Sequence, residues 1–218
     1  MIKLHGTRVL IAVVVVSLLC ASALWAQPTL RGYTGMLIVP NAETVGDGNY
    51  YLGWGAGEGG DLENHSFYGT FGLDENTEVG VNMWRPKGAE NQTFLHAKYT
   101  LPVEAGPQIA TGVFDLTGEL DTTVYAVATW RQGQIIGEVD DRPIQFLNLH
   151  AGFAAGMFSD IFAGVEMMFG PEVGIMAEWV DNDVHVGARF QPVDMFHFDV
   201  GLLDIDELVF NLSYGTAF

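Results

Sequence analysis

From Tyr50 to the end of the chain, apolar residues return at every second position, and a period of two admits only β-strands with one apolar face. Tyr50, Leu52, Trp54 and Ala56 form one such row. Val79, Val81 and Met83 alternate with Glu78, Gly80 and Asn82, and Leu95, Ala97, Tyr99 and Leu101 with His96, Lys98 and Thr100. Ile161, Ala163, Val165, Met167 and Phe169 enclose Gly164 and Glu166. Val173, Ile175, Ala177 and Trp179 enclose Gly174 and Glu178. Val184, Val186, Ala188 and Phe190 alternate with His185, Gly187 and Arg189, and Phe196, Phe198, Val200 and Leu202 with His197, Asp199 and Gly201. Segments near 65–73, 107–116, 121–130 and 143–153 alternate more loosely. The total is about twelve strands joined by short turns such as Asp74-Glu75-Asn76, with no stretch of helical period and no linker. The chain is therefore expected to be all-β, antiparallel and meandering.

Alternation does not say which face meets water. In a soluble sandwich the apolar rows point inward; in a transmembrane barrel they face lipid around a polar lumen. Composition narrows the choice. The 218 residues carry 27 acidic and 9 basic side chains, a formal charge of -18, which argues against a nucleic-acid partner. Yet only 17% are charged and 49% hydrophobic, with mean hydropathy +0.21, so the chain is not a disordered acidic one. The polar rows hold Gly, Asn, His and isolated charges with almost no lysine, which suits a crowded lumen better than a solvated face. Trp84, Trp130 and Trp179 fall near strand ends, where interfacial girdles lie. Leu208, Phe210, Leu212, Tyr214, Thr216 and Phe218 share the last face, and Leu212, Tyr214 and Phe218 look like the C-terminal assembly signal of bacterial outer-membrane barrels. These features favour an up-and-down transmembrane barrel over residues 48–218.

The N-terminus fits export. Lys3, His5 and Arg8 precede the apolar run Val9–Val16, and small residues follow up to Ala26, the order of a signal peptide over residues 1–26. An uncleaved anchor is the competing reading. Cleavage removes Cys20, the chain's one cysteine, and leaves seven basic residues against 27 acidic ones. Residues 27–47 then form a lead-in, either plug-like or a plain leader.

A resemblance enters at Gly32. The run Gly32-Tyr33-Thr34-Gly35-Met36-Leu37-Ile38-Val39-Pro40-Asn41-Ala42-Glu43, followed by Gly48-Asn49-Tyr50-Tyr51-Leu52, resembles the opening of YjbH-like outer-membrane proteins, with Gly32, Gly35, Pro40, Ala42 and Gly48 carrying the match. Gly72–Gly80 resembles a family hairpin with an acidic turn. Ala177-Glu178-Trp179 with Asp181, then Val186-Gly187-Ala188-Arg189, resembles a later acidic-aromatic hairpin. Members of that family are large outer-membrane proteins linked to exopolysaccharide production or export, some with two barrels. For this shorter, single-barrel chain the resemblance implies support of exopolysaccharide export or envelope structure. Its implied partners are the outer-membrane lipid bilayer, the barrel assembly machinery and polysaccharide-export components.

Chemistry-bearing residues are few. No GxSxG, HExxH, GxGxxG or cysteine motif is present, His150 and His185 lack metal-ligand spacing, and no catalytic residue, metal or cofactor is expected. Glu166, Glu178, His185 and Arg189 lie on polar rows of neighbouring strands and form a candidate lumenal charge network. It either lines a solute path or satisfies itself in a filled lumen; His96 with Lys98 and His197 with Asp199 invite the same two readings. Acidic turns at Glu58–Glu63, Glu119–Asp121, Asp181–Asp183 and Asp204–Glu207 share one rim, as solvated turns or as cation sites. Two further roles stay open at this point: a small passive channel, and an exported soluble β-sandwich that binds a ligand.

Overall fold

The computed structural model describes residues 26–133, 138–139, 142–156, 160–169, 172–193 and 195–216. Residues 1–25 of the expected signal peptide, which runs to Ala26, and the terminal Phe218 lie outside them. Thirteen strands follow in chain order: β1 (Tyr50–Ala56), β2 (His65–Gly72), β3 (Thr77–Arg85), β4 (Gln92–Leu101), β5 (Gln108–Phe114), β6 (Thr123–Gly133), β7 (Glu138–Val139), β8 (Arg142–Ala155), β9 (Asp160–Phe169), β10 (Val173–Val180), β11 (Asp183–Val193), β12 (Phe196–Leu203) and β13 (Glu207–Gly215).

Each strand pairs antiparallel with its sequence neighbour, except that the two-residue β7 pairs only with the start of β8, Glu138↔Pro143 and Val139↔Arg142, and β6 pairs with β8 from Val124↔Ala155 to Gly133↔Phe146. The ring closes where β1 meets β13, from Tyr51↔Gly215 to Ala56↔Phe210. Twelve strands thus make one closed up-and-down barrel with no free edge, which satisfies the requirement that every backbone polar group in a membrane find a partner. The two-sheet sandwich is excluded, because there is one continuous sheet.

The orientation of the rows follows the same logic. Leu52, Phe71, Leu95, Tyr99, Phe153, Ile161, Ile175, Phe196 and Leu212 stand on the outer surface, with Ile161 61% and Phe153 64% exposed. A soluble protein has no reason to display such a continuous apolar band, whereas lipid requires one. Rings along one row touch: Phe196 and Tyr214 at 5.1 Å, and Phe198 with Phe190 and Phe210 at 6.3 and 6.2 Å. Trp130 and Trp179 point outward near opposite ends of the barrel, as girdle residues do. Trp84 differs from expectation: it shares the inward row of Glu78 and Asn82 and packs against the buried cluster of Tyr33, Phe94 and Phe114.

One rim carries the start of β1 and the end of β13, and will be called the terminal rim. The far rim carries the acidic turns, including Asp181–Asn182 and Asp204–Ile205, whose residues sit at positive φ as tight two-residue hairpins demand. The alternation is softer on β8 because its register against β9 shifts between Ile144 and Phe146.

Residues 26–46 do not lie outside the barrel. They fold into its lumen, where Tyr33, Met36, Leu37, Val39 and Ala42 are buried. A first reversal is held by Thr29 N–H to Tyr33 O at 2.8 Å and Gly32 N–H to Thr29 O at 3.0 Å. A second pairs Gly35 with Pro40 and closes with Met36 N–H to Val39 O at 2.9 Å. Barrels of about eight strands fill with their own side chains, whereas those of about sixteen leave an aqueous channel. With twelve strands, this wall leaves a space that the N-terminal segment occupies.

The belt predicts its own test. Val200 lies on the outward row of β12 opposite Phe210. Val200→Arg is expected to cost about 2–4 kcal/mol in urea titrations of refolding into lipid vesicles; an unchanged midpoint would remove the lipid-facing assignment.

Candidate functional site

The site is the lumen wall together with the segment inside it. Wall residues face inward because they occupy the alternate row, and small ones make room for the plug. A Cβ on Gly201 would sit 2.6 Å from Leu37 Cδ1, and one on Gly164 would sit 2.3 Å from Met36 Sδ. These glycines of the polar rows are thus contact points for plug side chains.

Charged wall groups then grip the plug backbone. Glu178 on β10 accepts the N–H groups of Ile38 (2.8 Å) and Val39 (3.0 Å), one on each carboxylate oxygen. Glu78 on β3 accepts Thr34 N–H at 3.0 Å and Val45 N–H at 3.1 Å, and pairs with Lys98 on β4 at 3.2 Å, both side chains fully buried. Lys98 also donates to the carbonyls of Thr34 (3.0 Å) and Asn41 (3.3 Å) and contacts the Thr34 hydroxyl. Arg189 on β11 donates to Glu166 at 2.9 Å and Asp199 at 2.8 Å, and its remaining nitrogen reaches the carbonyls of Gly35 and Met36 at 3.2 Å.

Neutral groups complete the coat. Ser66 donates to Leu30 O, Asn211 to Pro28 O and Thr100 to Ala42 O, at 3.0, 3.0 and 2.7 Å, while Thr129 accepts Ala42 N–H at 2.9 Å. Thr70 holds Gly32 O. Near the terminal rim Arg131 pairs with Glu43, and at the far rim Arg31 pairs with Glu58 at 2.5 Å.

Of the four residues grouped in the sequence, Glu166 and Arg189 meet directly. Glu178 instead binds plug amides, and His185, its cross-strand partner, accepts Asp204 N–H at 2.8 Å near the far rim. Asn148 donates to the second Glu166 oxygen at 3.1 Å. His150 touches Thr129 at 2.9 Å, and His96 and His197 are buried in the wall. Glu78, Asn211, Thr100 and Thr129 were not singled out from the sequence; their signal was their place on the polar rows. No group of three or more His, Cys, Asp and Glu among the described residues is arranged to hold a metal ion, the acidic turns included.

The motif residues from Gly32 to Gly48 form the plug's frame. Gly32, at φ +91°, lies under Tyr68, so close that a side-chain carbon added there would sit only 2.7 Å from Tyr68 Cβ. Gly35 and Pro40 pair across the second reversal, Ala42 is fully buried, and Gly48 leads into β1 with its N–H on Gly72 O at 3.1 Å. Leu212 and Tyr214 stand on the outer row of β13, and the Tyr214 hydroxyl lies 3.8 Å from Met195 Sδ.

No family model matches the chain, and no curated protein matches it. Among solved structures it is similar to the KdgM porin, at TM-score 0.49 and 10% identity over 78% of this chain and 99% of that one. It is also similar to the KdgM porin in complex with disordered oligogalacturonate, at TM-score 0.47 and 11% identity over 78% and 98%.

At the far rim, Asp115 organises the β5–β6 loop. Its carboxylate accepts the Thr117 hydroxyl at 2.5 Å and the N–H groups of Gly118, Glu119 and Leu120 at 2.9, 3.2 and 2.7 Å. Burial opposes its charge, but these donors outweigh burial and hold the carboxyl below the ordinary aspartate value.

Two outcomes follow from these contacts. Arg189→Met leaves Glu166 and Asp199 buried without their cation, and the urea stability of the folded barrel should drop by about 3–5 kcal/mol. The stability that Asp115 lends its loop is complete above the ordinary aspartate value and lost as pH falls through the lowered one. The amide shifts of Gly118 and Leu120 should therefore titrate with a midpoint below that of a free aspartate. A midpoint at or above that value contradicts the cap.

Proposed function

We propose that this protein is an outer-membrane barrel that forms a closed channel, with its own N-terminal segment as the plug, and that it performs no catalysis. The observation that carries this reading is the lumen coat: ionised and hydroxylic side chains line the bore, as in a pore, and Glu78, Lys98, Thr100, Glu178 and Arg189 are turned onto the backbone of residues 26–46. A scaffold that never opened could be filled by apolar side chains of the wall alone, with no plug backbone to satisfy and no charge to bury. A polar wall is the surface left behind when the plug withdraws, and it is one that water wets.

The small passive channel is thus favoured over the exopolysaccharide-export role, in a gated form. The export role is supported by the motif resemblance around Gly32–Gly48, the stretch that makes up most of the plug. In this reading the partners are the lipid bilayer of the outer membrane and the assembly machinery that inserts the barrel; polysaccharide-export components enter only with the export role.

Planar-bilayer recordings test the closed channel. The intact chain should be silent or show brief openings, and deletion of residues 27–46 should give stable conductance. Folding of the deleted form is checked by heat-modifiable gel migration. Steady conductance by the intact chain, or none from a folded deletion variant, overturns the reading.

A further inference from the structure

At the far rim the plug and the wall enclose a cavity of about 320 Å³, whose lining includes Arg31, Glu58, Asn82, Trp84, Phe94 and Phe114. Its lining is aromatic with a few polar groups, the composition of small-molecule sites. Two side chains of its wall are incompletely satisfied. Asn82 is 1% exposed and its Oδ1 has no hydrogen-bond partner among the described residues, and neither has the buried Nε1 of Trp84. Gln92, directly across from Trp84 on β4, adds a third such atom, Oε1. Buried donors and acceptors are nearly always paired, and two orphans on the wall of one cavity, with a third on the strand beside it, mark the edge of something that fills it.

We propose that this cavity binds a single neutral pyranose ring presented from the far side of the barrel. The ligand must accept from the Trp84 N–H and donate to the Asn82 carbonyl, and hydroxyl groups do both. It must also offer an apolar face to the rings. Those rings form a cup and not a slot: Trp84 and Phe94 are tilted by 37° at 6.4 Å, and Phe94 and Phe114 by 48° at 5.4 Å. A planar heterocycle needs parallel walls, whereas a puckered saturated ring with C–H groups on one face fits a cup.

Charge decides the rest. Arg31 is held by Glu58 through Nε and Nη2 at 2.9 and 2.5 Å and leans on Phe114 at 5.6 Å, so its charge is matched within the wall. The loops around the mouth carry Asp61, Glu63, Glu119 and Asp121 against Lys87, which pairs with Asp61 and Glu63 at 3.0 and 3.3 Å, and the acidic excess disfavours anionic sugars and phosphates. The site exists with the plug seated, because Arg31 of the plug forms one of its walls, and it does not require that the plug move.

The test uses the full mature chain folded in detergent. Intrinsic tryptophan fluorescence is titrated with methyl glycosides of glucose, galactose, mannose and N-acetylglucosamine, with a linear oligosaccharide of the best binder, and with methyl glucuronoside as the anionic arm. At least one neutral glycoside should give a saturable change, with affinity lowered tenfold or more in Asn82→Leu and in Trp84→Phe, the latter read by calorimetry. Tighter binding of the oligosaccharide assigns the site to a glycan chain and equal binding to a free sugar; both uphold it. No saturable change with any neutral glycoside, preference for the glucuronoside, or binding unaltered in both variants that still fold overturns it.

Discussion

The backbone of residues 26–46 carries N–H and C=O groups into the middle of a membrane barrel, and the rest of the structure depends on pairing them. Water could do this in an open pore, but here the lumen is filled. The two reversals satisfy part of the demand internally, and the remainder falls to the wall. Carboxylates are suited to that work because one group accepts two or three amides at once and gains strength from its charge. Glu178 meets two neighbouring amides, and Glu78 ties Thr34 to Val45 across eleven positions of chain. Lys98 and Arg189 do the complementary task for the carbonyls while offsetting the carboxylates. Ionic groups that would be a burden in an apolar core are here the means of fixing one backbone path, a specificity role that apolar residues cannot fill.

The barrel was legible in the sequence because its physics is local. A strand with lipid on one side and a polar interior on the other must alternate, and the rows of Leu95 to Leu101, Val184 to Phe190 and Leu208 to Tyr214 carry that pattern without a break. The strand number followed from counting such rows, and the two-residue β7 was the one element beyond that count. The sense of the rows came from the polar residues between them, whose scarcity of lysine pointed away from a solvated face.

The site was only partly legible, for the opposite reason. Its contacts are distant in sequence, so nothing near Glu178 announces that its partners are the amides of Ile38 and Val39. The polar rows gave the wall but not what the wall holds. Glu166 and Arg189 are neighbours through the strand order, which the meander fixes; Glu178 shares that face yet turns to the plug, a choice set by three-dimensional fit. The plug itself has no period to read, because its backbone is neither strand nor helix and its burial is imposed from outside. Trp84 illustrates the same limit: a tryptophan near a strand end suits a girdle, but its row faces inward, and the row decides.

The grip of Glu178 and Arg189 on the plug has a consequence for how the molecule is made. These bonds join residues 139 to 154 positions apart, and Asn211 reaches Pro28 across 183. Contacts so distant in sequence form slowly, and strands late in the chain hold its first described segment. Without β10 and β11, the amides of Ile38 and Val39 and the carbonyls of Gly35 and Met36 lack the wall partners they have in the folded barrel. The wall itself closes where β1 meets β13, so the seam and the grip on the plug both tie early segments of the chain to late ones.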